Sequence, residues 1–109
     1  MTTVTFESDG SRLLGFQTEG HSGYADAGED ILCAAITSAI TLVECAVNDV
    51  LGLEAAVKLR QEDAFLSLKL PGGLDEGTDR LCQTLLAALM LYFVKLAEDY
   101  PDYIIVLEV

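Results

Sequence analysis

The fold turns on one stretch, Gly20-His21-Ser22-Gly23-Tyr24-Ala25-Asp26-Ala27-Gly28-Glu29-Asp30-Ile31-Leu32-Cys33-Ala34-Ala35. It begins where a β-rich segment ends. It crosses a polar run with two further glycines and three acids, then enters a long apolar run. That grammar is strand, loop, helix. The stretch also holds the only histidine of the chain and one of its three cysteines. An imidazole and a thiol are the two parts of an activated cysteine nucleophile.

Upstream, residues 2–8 alternate roughly polar and apolar and are rich in β-formers. Asp9-Gly10 is a hairpin signal, and residues 12–19 read as the returning strand. His21 follows just beyond that strand. Residues 22–29 read as a loop, in which Gly23 and Gly28 can reach backbone angles closed to other residues. A loop beside a candidate nucleophile reads as a substrate-gripping flap or as a plain connection.

Downstream, residues 30–51 predict a helix with Asp30 as N-cap and Gly52 as terminator. At 100° per residue, Leu32, Ala35, Ile36, Ala39, Val43, Ala46, Val47 and Val50 make a broad apolar face. Thr37, Thr41, Glu44 and Asn48 make a polar stripe. Cys33 lies one turn before Thr37, at the stripe's edge, so the helix aims it at a boundary. Residues 53–60 and 63–70 predict a second hairpin, which Pro71-Gly72-Gly73 terminates. Residues 75–99 predict the second helix, starting at Asp75 or Thr78. Its expected inner face is Leu81, Leu85, Ala88, Leu89, Tyr92 and Leu96. Pro101 closes it, and residues 102–109 form a strand apolar enough for the centre of a sheet.

The order ββαββαβ gives an α+β fold, one domain over residues 1–109. The economical packing sets two helices on one face of a mixed or antiparallel sheet. The chain of 109 residues is 51% hydrophobic, enough for a real core. Six basic against eighteen acidic residues give a formal charge of −12. Such a surface repels phosphate backbones, which disfavours nucleic-acid binding, and attracts basic partners. Three cysteines without a C-x-x-C pair suggest neither a zinc site nor a disulfide framework. No metal or other cofactor is expected. The N-terminus lacks signal-peptide features, and no uninterrupted apolar run reaches about 18 residues. A cytoplasmic protein without a membrane span is the expectation.

A free thiol has a pKa of about 8.5 and is mostly protonated at neutral pH. A helix N-terminus, with its partial positive charge, and a nearby imidazole both favour the thiolate. The N–H groups of the first turn suit the oxyanion formed when sulfur attacks a carbonyl. Glu29 and Asp30 oppose the thiolate but favour a protonated His21. A cysteine on an apolar helix is also often a plain core residue, so spacing alone leaves both readings open. Cys45 and Cys82 have no histidine near in sequence and read as packing residues. Cys45 lies about 18 Å along the helix from Cys33, too far for a disulfide.

The Gly20-His21 pair, the glycine- and acid-bearing loop and the run Gly28-Glu29-Asp30-Ile31-Leu32-Cys33-Ala34-Ala35 resemble the ribosomal-processing cysteine protease family (Prp). The element order fits that family over essentially the whole chain. The resemblance implies a cysteine endopeptidase that removes an N-terminal extension from ribosomal protein L twenty-seven. It implies Cys33 as nucleophile, His21 as base, and a homodimer with no cofactor. It further implies substrate contacts from Gly23, Tyr24, Gly28, Asp30 and Thr37. Leu32 stands where the family commonly has valine, and Thr37 where it often has serine. The alternative consistent with the charge is an acidic dimer that holds a basic ribosomal protein during assembly without cutting it.

Overall fold

A computed structural model describes residues 1–20 and 31–109. β1 (Thr2–Asp9) and β2 (Arg12–Glu19) form the expected hairpin, and Gly10 turns at φ +64°. Phe6 faces Phe16 and Val4 faces Thr18 across the pair. The register then slips: Glu7 pairs with Gly15 but Ser8 with Leu13, which leaves Leu14 as the extra residue of a bulge. The slip returns Leu13 to the core side, where it is buried. Gly15 sits where the neighbouring strand comes closest; a Cβ there would strike the Leu68 carbonyl oxygen.

α1 (Ile31–Glu44) runs into a π-helical turn, Cys45–Val50, in which the Leu51 N–H donates to the Ala46 carbonyl at 2.9 Å. Gly52 at φ +67° ends it, with the Leu53 N–H returning to the Val47 carbonyl at 3.1 Å. β3 (Ala56–Arg60) and β4 (Phe65–Lys69) make the second hairpin; both are shorter than predicted, the first starting three residues late and the second giving its first two residues to the Gln61–Ala64 turn. α2 (Glu76–Asp99) starts at Asp75, whose side chain accepts from the Thr78 N–H at 2.8 Å. β5 (Ile104–Glu108) completes a mixed sheet in the order β3-β4-β2-β1-β5.

The sequence places β5 at the centre of the sheet, but it lies at an edge, parallel to β1. Only Ile104 is buried; Ile105 and Leu107 alternate onto the open face. Its apolar character reflects partial cover from α2 on one side, not burial on both.

The first helix buries mostly the expected face, whereas the second turns a partly different face inward. α1 buries Leu32, Ile36, Ile40 and Val43, and the π turn buries Val47. Ile40 belongs to this stripe, whereas Val50 is 77% exposed. α2 buries Cys82, Leu86, Leu89 and Phe93, while Leu81 and Tyr92 face outward. The reason is that both helices are apolar on two sides. Aromatic contacts identify the inner side of α2: Phe6 lies 5.7 Å from Phe16 and 6.4 Å from Phe93, centroid to centroid. By length and composition alone both Ile31–Val50 and Glu76–Asp99 could cross a membrane. Here each lays its inner stripe on the sheet.

Polar bonds fix the register of α2. Arg12 grips Asp79 through two nitrogens, the shorter contact being 2.7 Å. Gln83 brackets the Leu13 backbone, accepting from its N–H at 2.7 Å and donating to its carbonyl at 2.8 Å. At the far end of α1, Asn48 brackets Ala55 in the same way.

Candidate active site

Cys33 is the third residue of α1, in its first turn. It is half-buried, as its position on the edge of the polar stripe predicts. The two other thiols are placed differently. Cys82 is fully buried in the core, and that burial raises its pKa. Cys45 is exposed, which corrects its reading as a packing residue; two residues from both Val43 and Val47, it lies on the side of the helix opposite the buried stripe. Desolvation, then the Asp49 carboxylate, raises its pKa as well.

Cys33 opens onto a cleft of about 260 Å³. α1 supplies one wall through Cys33, Ile36, Thr37 and Ile40, and Thr2, Thr18 and Gly20 of the first hairpin form another. The third comes from the second hairpin: Leu59, Arg60, Gln61, Ala64 and Leu66. The cleft exists because β3 and the outer part of β4 extend past the cover that α1 gives the sheet. Leu59 shows this, for it shares the helix side of the sheet with Leu66 yet is 65% exposed.

Gly20, the residue before His21, is held from three directions. Its N–H donates to the Asp63 carbonyl at 2.9 Å. The Thr2 hydroxyl donates to its carbonyl at 3.4 Å. Its φ is +83°, and a Cβ there would meet the Met1 carbonyl. Only glycine fits this conformation and this space without strain. The chain therefore leaves β2 from a fixed point on the rim of the cleft that Cys33 lines.

Of the residues singled out by sequence, the cleft contains Cys33 and Thr37. His21, Gly23, Tyr24, Gly28 and Asp30 lie outside the described residues. Sequence reading missed the wall made by β3 and β4, which carries no local motif. The one available signal was Arg60, a cation in a chain of −12. Its guanidinium donates to Asp63 at 3.0 Å and lies 4.1 Å from the Phe65 ring centroid. That ion pair raises the Arg60 pKa and lowers that of Asp63.

A family model described as cysteine protease Prp matches residues 1–105. A Bacillus subtilis (strain 168) protein named ribosomal processing cysteine protease Prp is 24% identical over 90 residues, spanning 83% of this chain and 80% of that protein. The structure of an essential ribosomal processing protease Prp from S. aureus, bound to a covalently linked product peptide, matches with a TM-score of 0.86. It covers 100% of both chains at 15% identity. A second structure of that description, with a substrate peptide, matches at a TM-score of 0.81 and 14% identity over 100% of both chains. The element order and mixed sheet are thus those of solved Prp structures.

Proposed function

This chain belongs to the cysteine protease Prp family, and on that premise we propose that residues 1–109 form a cytoplasmic endopeptidase that trims an N-terminal extension from ribosomal protein L twenty-seven. The observation that carries the reading is the shared cleft: Cys33 lines it from the first turn of α1, and Gly20, whose chain continues directly into His21, lines it from the end of β2.

The chemistry follows from those two groups. The Cys33 sulfur attacks the scissile carbonyl, and His21 takes the thiol proton. His21 then gives that proton to the leaving amine, which departs as the new N-terminus of the shortened protein. N–H groups of the first helical turn, which have no intrahelical acceptor in any α-helix, stabilise the oxyanion. Thr37, one turn on, lines the cleft and contacts the bound peptide, and Gly23, Tyr24, Gly28 and Asp30 are the further substrate contacts that the family resemblance implies. A net charge of −12 speeds the encounter with a basic ribosomal protein.

The protease works as a homodimer. The outer apolar stripes of the two helices support this: Ala35, Leu42, Leu85, Ala88 and Tyr92 line an open groove of about 580 Å³. Leu42 is 70% exposed there. A second copy brings a matching stripe, which an isologous two-fold interface uses twice.

The test is incubation with a peptide spanning the extension junction, read by mass spectrometry. Wild type is expected to cut it, and Cys33→Ala and His21→Ala are not. Equal cleavage by all three would remove the dyad. Salt-sensitive binding with no change in peptide mass, in wild type as in the variants, would point instead to a non-cutting holder of the ribosomal protein.

A further inference from the structure

We infer that the free edge of β5, with the groove between it and the end of α2, is a second docking site for the protein substrate. It takes an extended segment with an apolar centre and cationic ends. The inference deepens the protease reading and rests on it: the cleft holds the peptide to be cut, and β5 holds the basic body of the same protein. β5 is the outer strand of the sheet, with β1 on its inner side. The Tyr103 carbonyl accepts from the Thr2 N–H, the Val109 N–H donates to the Phe6 carbonyl, and the Val109 carbonyl accepts from the Ser8 N–H. Odd-numbered residues of the strand therefore bond to β1. The N–H and C=O of Val106 and Glu108 point outward, with no strand beyond them among the described residues. The run Ile104-Ile105-Val106-Leu107 carries no charge and no proline, the usual guards against strand addition.

The edge borders a groove on its helix side. Two hollows of about 360 and 270 Å³ form it, and Val94 and Val106 line both. Glu98 stands at one end of this apolar floor and Glu108 at the other. On the open side of the sheet, Ile105 and Leu107 are exposed. Lys95 is the only cation from residue 91 to residue 109, against Glu98, Asp99, Asp102 and Glu108. None of these four acids is in an ion pair among the described residues. Glu98 and Asp99 also sit in the last turn of α2, where the helix dipole disfavours an anion. Helix stability does not account for them; a cation arriving from outside does.

Charge selects the occupant. A second copy would bring the same acids to the same edge, and like charges across paired strands repel. A strand with Lys or Arg at both ends of an apolar stretch instead meets an acid at each end. Its alternate side chains fill the groove, and its backbone bonds to Val106 and Glu108. Position links this edge to the cut. Thr2, which lines the cleft, pairs with Ile104, which lines the groove, one strand spacing of about 4.8 Å away. One extended protein can therefore occupy both.

The experiment measures, by calorimetry, binding of ribosomal protein L twenty-seven without its extension to Cys33→Ala. The trimmed protein offers the cleft nothing to cut, yet it should bind, more weakly as salt is added. Glu98→Gln/Glu108→Gln on that background should weaken binding roughly fivefold at low salt. Glu44→Gln/Glu54→Gln, the same charge change at the far end of α1, should not. Val106→Pro removes an outward N–H and spares the β1 ladder; it should weaken binding roughly tenfold. Ile105→Lys, on the exposed face, should repeat that loss through charge, and it serves if the melting temperature shows that Val106→Pro does not fold. No binding of the trimmed protein, equal losses from the two Gln pairs, or binding that survives both edge variants overturns the proposal. So does loss of self-association in sedimentation without loss of binding, which would make β5 an interface between copies. Any of these alongside cleavage of the junction peptide by wild type overturns this proposal alone; absence of that cleavage overturns the protease reading beneath it.

Discussion

The first turns of the two helices use the same physical resource differently. Each helix N-terminus carries roughly half a positive charge and a set of N–H groups without intrahelical acceptors. α2 spends this on carboxylates: Asp75 caps it, and Glu76 and Asp79 sit in its first turn. The Thr78 N–H holds the Asp75 pKa down, and the Arg12 guanidinium does the same for Asp79. The first turn of α1 is Ile31-Leu32-Cys33-Ala34, without an acid. A sulfur stands in that turn instead, with Glu29 and Asp30 preceding it in sequence. α2 is also tied to β2 through Arg12 and Gln83, whereas the first turn of α1 borders an open cleft. The difference separates duties: α2 anchors the fold, and α1 presents a side chain.

The largest effect that can break this division is chemical. Cys33→Ala should lower cleavage by roughly 10⁴-fold or more, as removal of a nucleophile does, and leave the melting temperature nearly unchanged. Cleavage that persists would mean α1 presents nothing of consequence. Alkylation sharpens the same point. Iodoacetamide at neutral pH should label Cys33 before Cys45, although Cys45 is the more exposed, because its environment raises the Cys45 pKa. Peptide mapping that finds Cys45 modified first would contradict an activated Cys33.

The next effect is on folding. Phe93→Ala, in the core against Phe6, should cost about 3–5 kcal/mol in urea unfolding. Its neighbour Tyr92 faces outward, so Tyr92→Ala should cost far less in the monomer and instead weaken self-association in sedimentation. Equal losses from both would mean the outer stripe of α2 is not a separate surface.

The smallest effect is the acid sensitivity of the α2 start. Asp75 and Asp79 are both held below the usual aspartate range, so in the folded state they give up their charge only at lower pH than in the unfolded chain. Their stabilisation is complete above the unfolded pKa of about 3.9 and is lost as pH falls through the lower folded values. A melting-temperature series from pH 6 to pH 2 should fall in that window, and Asp79→Asn should flatten the fall. Asp75→Ala should lower the melting temperature at pH 7 by less than Phe93→Ala and leave cleavage intact.

The sequence was most readable where signals were local. Asp9-Gly10 between alternating segments fixes the first hairpin, Asp75 with Thr78 fixes the start of α2, and Gly52 fixes the end of the first helix. It was least readable where a residue pattern serves two surfaces. Leu85, Ala88 and Tyr92 repeat as regularly as Cys82, Leu86 and Phe93, and periodicity cannot say which stripe meets the sheet. An apolar strand such as β5 reads alike at a centre and at a half-covered edge. At the site, Cys33 and Thr37 were legible from helical spacing. The opposite wall was not, because Leu59 and its neighbours come to border the same cleft as Cys33 only through the strand order β3-β4-β2.

One pairing sets a timetable for the enzyme's own birth. β1 lies between β2 and β5, and the Ser8 hydroxyl reaches the Val109 carbonyl across 101 residues of chain. Thr2, which lines the cleft and braces Gly20, takes its backbone acceptor from Tyr103. A nascent chain threaded through the exit tunnel can close the two hairpins early. It cannot finish the wall beside Gly20 until the last strand emerges, since contacts this distant in sequence form late. Proteolytic competence is thereby deferred until translation of the domain is complete.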